Sequence, residues 1–330
     1  MKKILGFLSA ALIIVSCKKE ATNETTVIAE AEILAKKKQD EPQQTNFNEP
    51  NLFPEGVVYD EFNNRFYVSS TTRGDIGIVT ADGSYHVFID DAALTSTTGL
   101  EISTSKKLLY VANAPGSVGI YRLNDGSRVA LIDLAAVLPG RPIFVNDIAL
   151  DAQGNAYVTN SLSPVIYKIT PEGTATVFFQ NQAFATAPGG FGFNGIEYGN
   201  SQGGYLLVAH TATNSVVKIP VDNSSAYSTV LLDAPLNRPD GLLLSNNGKQ
   251  LIVVNNAGGT ADGKVISFAS DDKWLSAVAT TTFNTGAVFP TTATSNGKNV
   301  FVLYAYLHRR ATGQSTYTIQ QVPLNNAGTF

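Results

Sequence analysis

The sequence predicts an all-β chain folded as a six-bladed β-propeller with a metal site on its axis. Three observations predict it. Asn, Thr, Ser, Gly, Val and Ile dominate a chain of 330 residues in which only 15% are charged, and long Leu/Glu/Lys/Arg blocks of helical period are missing. A segment of fixed grammar recurs six times, at spacings of 43, 48, 48, 46 and 51 residues. Within each period, short apolar runs alternate with turns rich in Asn, Gly, Ser, Asp and Lys, the pattern of a four-stranded blade.

Residues 1–16 read as a targeting signal. Lys2 and Lys3 precede an apolar core from Ile4 to Val15 that is too short to span a bilayer as a stable helix. Ile14-Val15-Ser16-Cys17 resembles a bacterial lipobox, which implies acylation of Cys17, a membrane partner through that lipid, and a place at the cell envelope, periplasmic or outer-membrane-associated. Cys17 is the only cysteine, so intramolecular disulfides and structural Cys-zinc sites are excluded. Net charge is -4 and no basic stretch marks a nucleic-acid partner. Residues 17–50 are polar and read as a tether, within which Thr25–Leu34 has enough Val, Ile, Ala and Leu to order as a short helix or a borrowed strand.

The propeller is expected over residues 51–330, as a monomer. Its six copies begin at Glu55, Thr98, Asn146, Asn194, Asp240 and Thr291. Each of these pivots precedes a small or acidic residue, except that the sixth precedes a second threonine. A short apolar strand, a turn, a second apolar strand and a third strand follow. Copies one to four add a fourth, such as "YHVFID" or "STVLLD", and copy five offers "LSAVATTTF". The chain stops after the third strand of copy six. Ring closure then needs either a strand from residues 25–50, with Thr25–Leu34 the favoured donor, or a three-stranded last blade.

First strands line a propeller's channel, so the six pivots converge at one rim. Glu55, Asn146, Asn194 and Asp240 carry carboxylate or amide oxygens, and no pivot is His or Cys. Hard oxygen donors suit Ca²⁺, which takes about 6–8 of them, with Mg²⁺ or Mn²⁺ also accommodated. A carboxylate such as Asp240 entering a buried strand needs a partner, either this ion or nearby Arg238.

"FPEGVVYD", "FVNDIALDAQGNAYVTN", "FGFNGIEYG" and "RPDGLLLSNNGKQLIVVN" together resemble the successive motifs of the gluconolactonase and regucalcin superfamily, six-bladed propellers similar to diisopropyl fluorophosphatase and the paraoxonases. The resemblance covers residues 51 to about 325. It implies a catalytic Ca²⁺ held by Glu55, Asn146, Asn194 and Asp240. Phe144 stands where sugar-lactone members often carry an arginine, and the inserted helices bearing a histidine pair in paraoxonases have no counterpart.

The reading that follows is a Ca²⁺-dependent hydrolase of a lactone, ester or phosphotriester. The metal is its Lewis acid, Asp240 its general base or nucleophile, and the small-molecule substrate lies in the channel mouth. His210, at the end of the second strand of blade four, is a candidate channel-facing base. Arg309 and Arg310 read either as solvated loop charges or as groups that attract an anionic substrate, and the apolar loop "QNQAFATAPGGFGF" is a candidate pocket wall. The alternative is a non-catalytic, envelope-anchored binding propeller with a structural calcium. A cavity opening above the ion favours the first reading, a sealed rim the second.

Overall fold

The computed structural model describes residues 43–323 and Phe330. Gln43–Phe330 forms one compact unit. It is a ring of six sheets, antiparallel but for one short strand, with no α-helix among the described residues, only short 3₁₀ turns. The signal segment, Cys17 and Thr25–Leu34 lie outside the described residues, among which no helix is long and apolar enough to cross a membrane.

The inner strands are Val57–Asp60, Thr97–Ser103, Val145–Leu150, Phe193–Gly199, Pro239–Leu244 and Pro290–Ser295, in blades I to VI. They match the six predicted copies. Side-chain oxygens at the inner hairpins explain why these turns form where they do. Asp60 accepts the amides of Phe62 and Asn63, and Asp151 those of Gln153 and Asn155.

Two outer strands differ from expectation. "STVLLD" is split. Ser228–Thr229 pairs with blade IV, whereas Leu231–Leu232 crosses to lie parallel against Ser276 and Ala277, giving blade V a fifth strand. The ring is closed by Gln44–Asn48, which pairs in antiparallel register with Thr316–Val322 as the outer strand of blade VI. The propeller therefore begins before residue 51, and the tether ends sooner than expected. The closing segment lies inside the 25–50 window but is not Thr25–Leu34. Its physical reason is alternation. Thr45 and Phe47 turn inward and are buried, while Gln44, Asn46 and Asn48 face out.

Hydrophobic cores lie between neighbouring sheets rather than at the axis. The interface of blades VI and I packs Phe47, Leu52, Phe53, Phe66, Phe301 and Tyr317. The axis is left polar, which is where the site forms.

Candidate active site

Five of the six inner strands break register at the pivot. Pairing skips from Thr97 to Leu100, Val145 to Ile148, Phe193 to Ile196, Pro239 to Leu242 and Pro290 to Ala293. A bulge of this kind re-aims a side chain. In blade I the hydroxyl of Ser69 accepts the Glu55 and Gly56 amides at 3.1 and 2.7 Å instead. The small residue after the pivot has a steric cause. A Cβ on Gly56 would stand 2.3 Å from the Thr98 carbonyl, and one on Gly195 2.4 Å from the Asp240 carbonyl. Each blade's pivot thus rests on its neighbour's backbone.

Glu55, Thr98, Asn146, Asn194 and Asp240 line one cavity of about 540 Å³ at this rim, and Thr291 does not. Glu55 is 8% exposed, Asn146 3%, Asn194 5% and Asp240 4%. The Thr98 hydroxyl is tied to the Val145 carbonyl at 2.9 Å. Asn194 donates its amide to Thr211 Oγ1 at 3.1 Å, which leaves its Oδ1 buried without a partner. Glu55 Oε2 is likewise buried and unpartnered. Asp240 Oδ2 accepts from Asn256 Nδ2 at 2.7 Å. Among the described residues no ion pair joins Asp240 to Arg238.

The electrostatics are those of uncompensated carboxylates. Burial, then the charges of Asp240 and Asp147, push the Glu55 carboxyl well above its usual range. Burial pushes Asp240 up to about 7; the Asn256 hydrogen bond opposes it, the Asp147 charge adds to it, and the Asn194 amide and the Arg238 charge oppose it. Asp147, whose Oδ2 accepts the Ile196 amide at 3.1 Å, is raised by burial to about 6. Burial and the Asp147 charge raise Glu101 to about 8. Glu101 and Glu197 line a second cavity of about 460 Å³ at the opposite end of the inner strands.

Among the described residues no group of three or more His, Cys, Asp or Glu could hold a metal, so a cation here would depend on the two asparagine oxygens as well as the two carboxylates. The donor set fits a hard divalent cation. Two oxygens that burial leaves unpartnered, and two buried carboxylates of which Asp240 raises the pKa of Glu55, are the groups a cation would relieve.

A pH dependence follows. Carboxyls whose folded pKa lies above the unfolded value favour the protonated fold. Their contribution is complete below about pH 4 and is lost as pH rises through the folded values. In chelator, the melting temperature is therefore expected to fall by several degrees between about pH 5 and 8, through the Asp147, Asp240 and Glu101 values. Added Ca²⁺ should restore most at the high end. A profile in chelator that is flat or rises over that range contradicts the assignment.

His210 is not part of the site. It is 1% exposed and does not line the cavity. Its Nδ1 lies 2.7 Å from Thr213 Oγ1 and its Nε2 3.1 Å from the Phe184 carbonyl, with Phe184 and Phe193 edge-on to the ring. The expectation of a channel-facing base fails because this position anchors a loop. Asn113, Asn160 and Asn255 end the same strand in other blades and also hold the incoming segment, their amide oxygens accepting its backbone N–H groups where His210 donates to a backbone carbonyl.

Sequence reasoning passed over other lining residues. His308 lines the cavity and stacks on Phe289 at 6.1 Å. The residue two before each pivot forms a second ring, to which Ser96, Phe144, Arg238 and Phe289 contribute cavity lining. Phe191 of the apolar loop packs edge-on against Phe144 at 5.0 Å, so that loop does wall the pocket. Arg310 lines the cavity as well, and Arg309 does not.

A family model described as the SMP-30/Gluconolactonase/LRE-like region matches residues 27–296. Among solved structures, the major allergen Mala s 1 of Malassezia sympodialis superposes with a TM-score of 0.69 at 20% identity, over 87% of this chain and 97% of that one. A luciferin-regenerating enzyme gives 0.63 at 12% identity, over 88% and 98%. A gluconolactonase of Xanthomonas campestris gives 0.61 at 14% identity, over 86% and 90%. These likenesses establish the fold. No curated protein matches the sequence.

Proposed function

The chain belongs to the SMP-30/gluconolactonase/LRE-like family, and from that membership we propose that it is a divalent-cation-dependent hydrolase of a lactone, ester or phosphotriester. The observation that carries the reading is the floor of the 540 Å³ cavity, where unpartnered oxygens of Glu55 and Asn194 share one opening with Asn146 and Asp240. An open cavity above the four donors favours catalysis over a sealed, structural ion. Propeller folds host both kinds of function, so the site rather than the fold decides.

Glu55, Asn146, Asn194 and Asp240 would hold the cation, with Ca²⁺ best matched to their oxygens. When bound, it supplies Lewis acidity to a carbonyl or phosphoryl oxygen. Asp240 acts as general base or as nucleophile. As base it takes a proton from water while the water oxygen bonds to the acyl carbon or phosphorus, the ester C–O or P–O bond breaks, and the proton passes to the departing alkoxide. The Asn256 hydrogen bond fixes one oxygen of the Asp240 carboxylate and so its plane. Phe144 and Phe191 exclude water from one wall.

The test is a panel of lactones, aryl esters and phosphotriesters assayed with Ca²⁺, Mg²⁺, Mn²⁺ and chelator. Cation-dependent turnover of at least one class is expected. Turnover unaffected by chelator contradicts the proposal, as does none on any class when calorimetry finds the cation bound.

The proposal includes a location, from the Ile14–Cys17 motif alone: a lipid anchor at the bacterial cell envelope. Labelled palmitate should enter the native protein in cells and not the Cys17→Ser variant. Equal labelling of both would remove the anchor.

A further inference from the structure

Resting on the hydrolase reading, we propose that the substrate carries a free carboxylate on a flat apolar body. Arg238 and Arg310 bind the carboxylate, and aromatic walls from blades III and VI hold the body over the four oxygen donors.

The walls follow from the topology. Blade III lies diametrically across a six-blade ring from blade VI. The Phe144–Phe191 pair, 5.0 Å apart at 67°, belongs to blade III and the loop that leaves it. The Phe289–His308 stack, 6.1 Å apart at 13°, belongs to blade VI. Both pairs line the same cavity, so they bound a slot whose floor is the donor set. A Cβ on Gly259 would stand 2.5 Å from His308 Nδ1, so the blade V loop backs that ring closely. A slot between aromatic faces selects a planar, apolar body.

The cations follow from what they lack. Arg65 pairs with Asp60, Arg73 with Glu49 and Asp75, and Arg128 with Asp91. Arg238 and Arg310 line the cavity, yet among the described residues neither side chain has an ion pair or hydrogen bond. Arg310 lies over the Phe53 ring at 6.0 Å, and burial lowers its pKa. Arg238 sits at φ 51°, left-handed backbone that a side chain rarely adopts. Its amide donates to Asn214 Oδ1 at 2.7 Å and its carbonyl accepts from Asn256 at 3.2 Å. Phe53 and Phe289, two before the pivots of blades I and VI, adopt the same region at φ 46° and 51°, so this backbone belongs to the blade entry. Two guanidiniums that line the cavity without an ion pair or hydrogen bond suit a carboxylate, whose two oxygens match their planar donor forks.

The test reads binding, so it does not depend on turnover. The Ca²⁺-loaded full chain is titrated calorimetrically with hydrocinnamate and with hydrocinnamamide, its neutral counterpart. Native protein is expected to prefer the acid by about tenfold or more. In the Arg238→Ala/Arg310→Ala double variant that preference should fall below about twofold. Ca²⁺ affinity, titrated in parallel, should not fall. Phe144→Ala should weaken both ligands alike. Equal affinity for acid and amide in native protein overturns the proposal. So does a preference that survives in the double variant, which would assign the carboxylate to the cation itself. Binding as expected with no hydrolysis on the wider panel would overturn the hydrolase reading and leave this one standing.

Discussion

Asp240→Asn is expected to lower kcat/KM on the best panel substrate by about a thousandfold or more, on the order of 4 kcal/mol of transition-state stabilisation. The substitution removes the proposed base and one of two carboxylate charges at the floor of the cavity, so Ca²⁺ affinity should fall with it. The fold should survive. Asparagine has nearly the same shape, Asp240 is only 4% exposed in a strand, and its one short contact is to the side-chain amide of Asn256 at 2.7 Å, for which an amide oxygen can substitute. The sign of the stability change separates this from simple damage. Burial raises the Asp240 pKa to about 7, so its ionised form is a burden on the apo-protein above that pH. In chelator at pH 8 the variant should melt at or above the native temperature, and with Ca²⁺ below it. Activity within tenfold of native, measured with saturating cation, would remove Asp240 from the chemistry.

Deleting residues up to Asn48 is expected to cost more stability than any single substitution. The closing strand pairs five residues with Thr316–Val322. Its outward face adds side-chain bonds from Gln44 to Gln320 and to Asn46 and Asn48 from Thr318 and Thr316. Its inward face buries Phe47 completely, against Tyr85 at 6.0 Å and Tyr317 at 5.6 Å. Phe47→Ala alone should cost about 3–5 kcal/mol. Removal of the strand also strips the ladder from the third strand of blade VI and opens the contact with blade I. A chain starting at residue 49 should lose more than about 10 °C in melting temperature, or its cooperative transition altogether, whereas one starting at residue 43 should melt like the full chain. Scanning calorimetry of the pair decides it, and equal melting would contradict the closure.

Much of this was legible because the repeat converts weak local signals into a strong shared one. Glu55, Asn146, Asn194 and Asp240 are each ordinary at a strand start, yet alignment places them together, and the structure brings them into one cavity. The closing strand was obscured by its own geometry. Gln-Thr-Asn-Phe-Asn contributes two inward residues, of which only Phe47 is apolar, and so looks like tether beside the richer Thr25–Leu34. His210 misled because the residue type suggests chemistry. Its alignment with Asn113, Asn160 and Asn255 carried the better answer, since those side chains hold backbone. His308 stands in a loop without period, where only the tertiary fold brings it beside Phe289.

The closure also has a consequence for biosynthesis. Gln44–Asn48 leaves the ribosome before any blade exists, and its partner follows later in the chain, Asn46 and Thr318 standing 272 residues apart. At translation rates of about 5–20 residues per second, the closing strand waits on the order of tens of seconds for that partner. Until then blade VI cannot form and the four donors, drawn from blades I, III, IV and V, have no closed ring to hold them. The site is thus a property of the closed ring alone, and no open propeller can carry it.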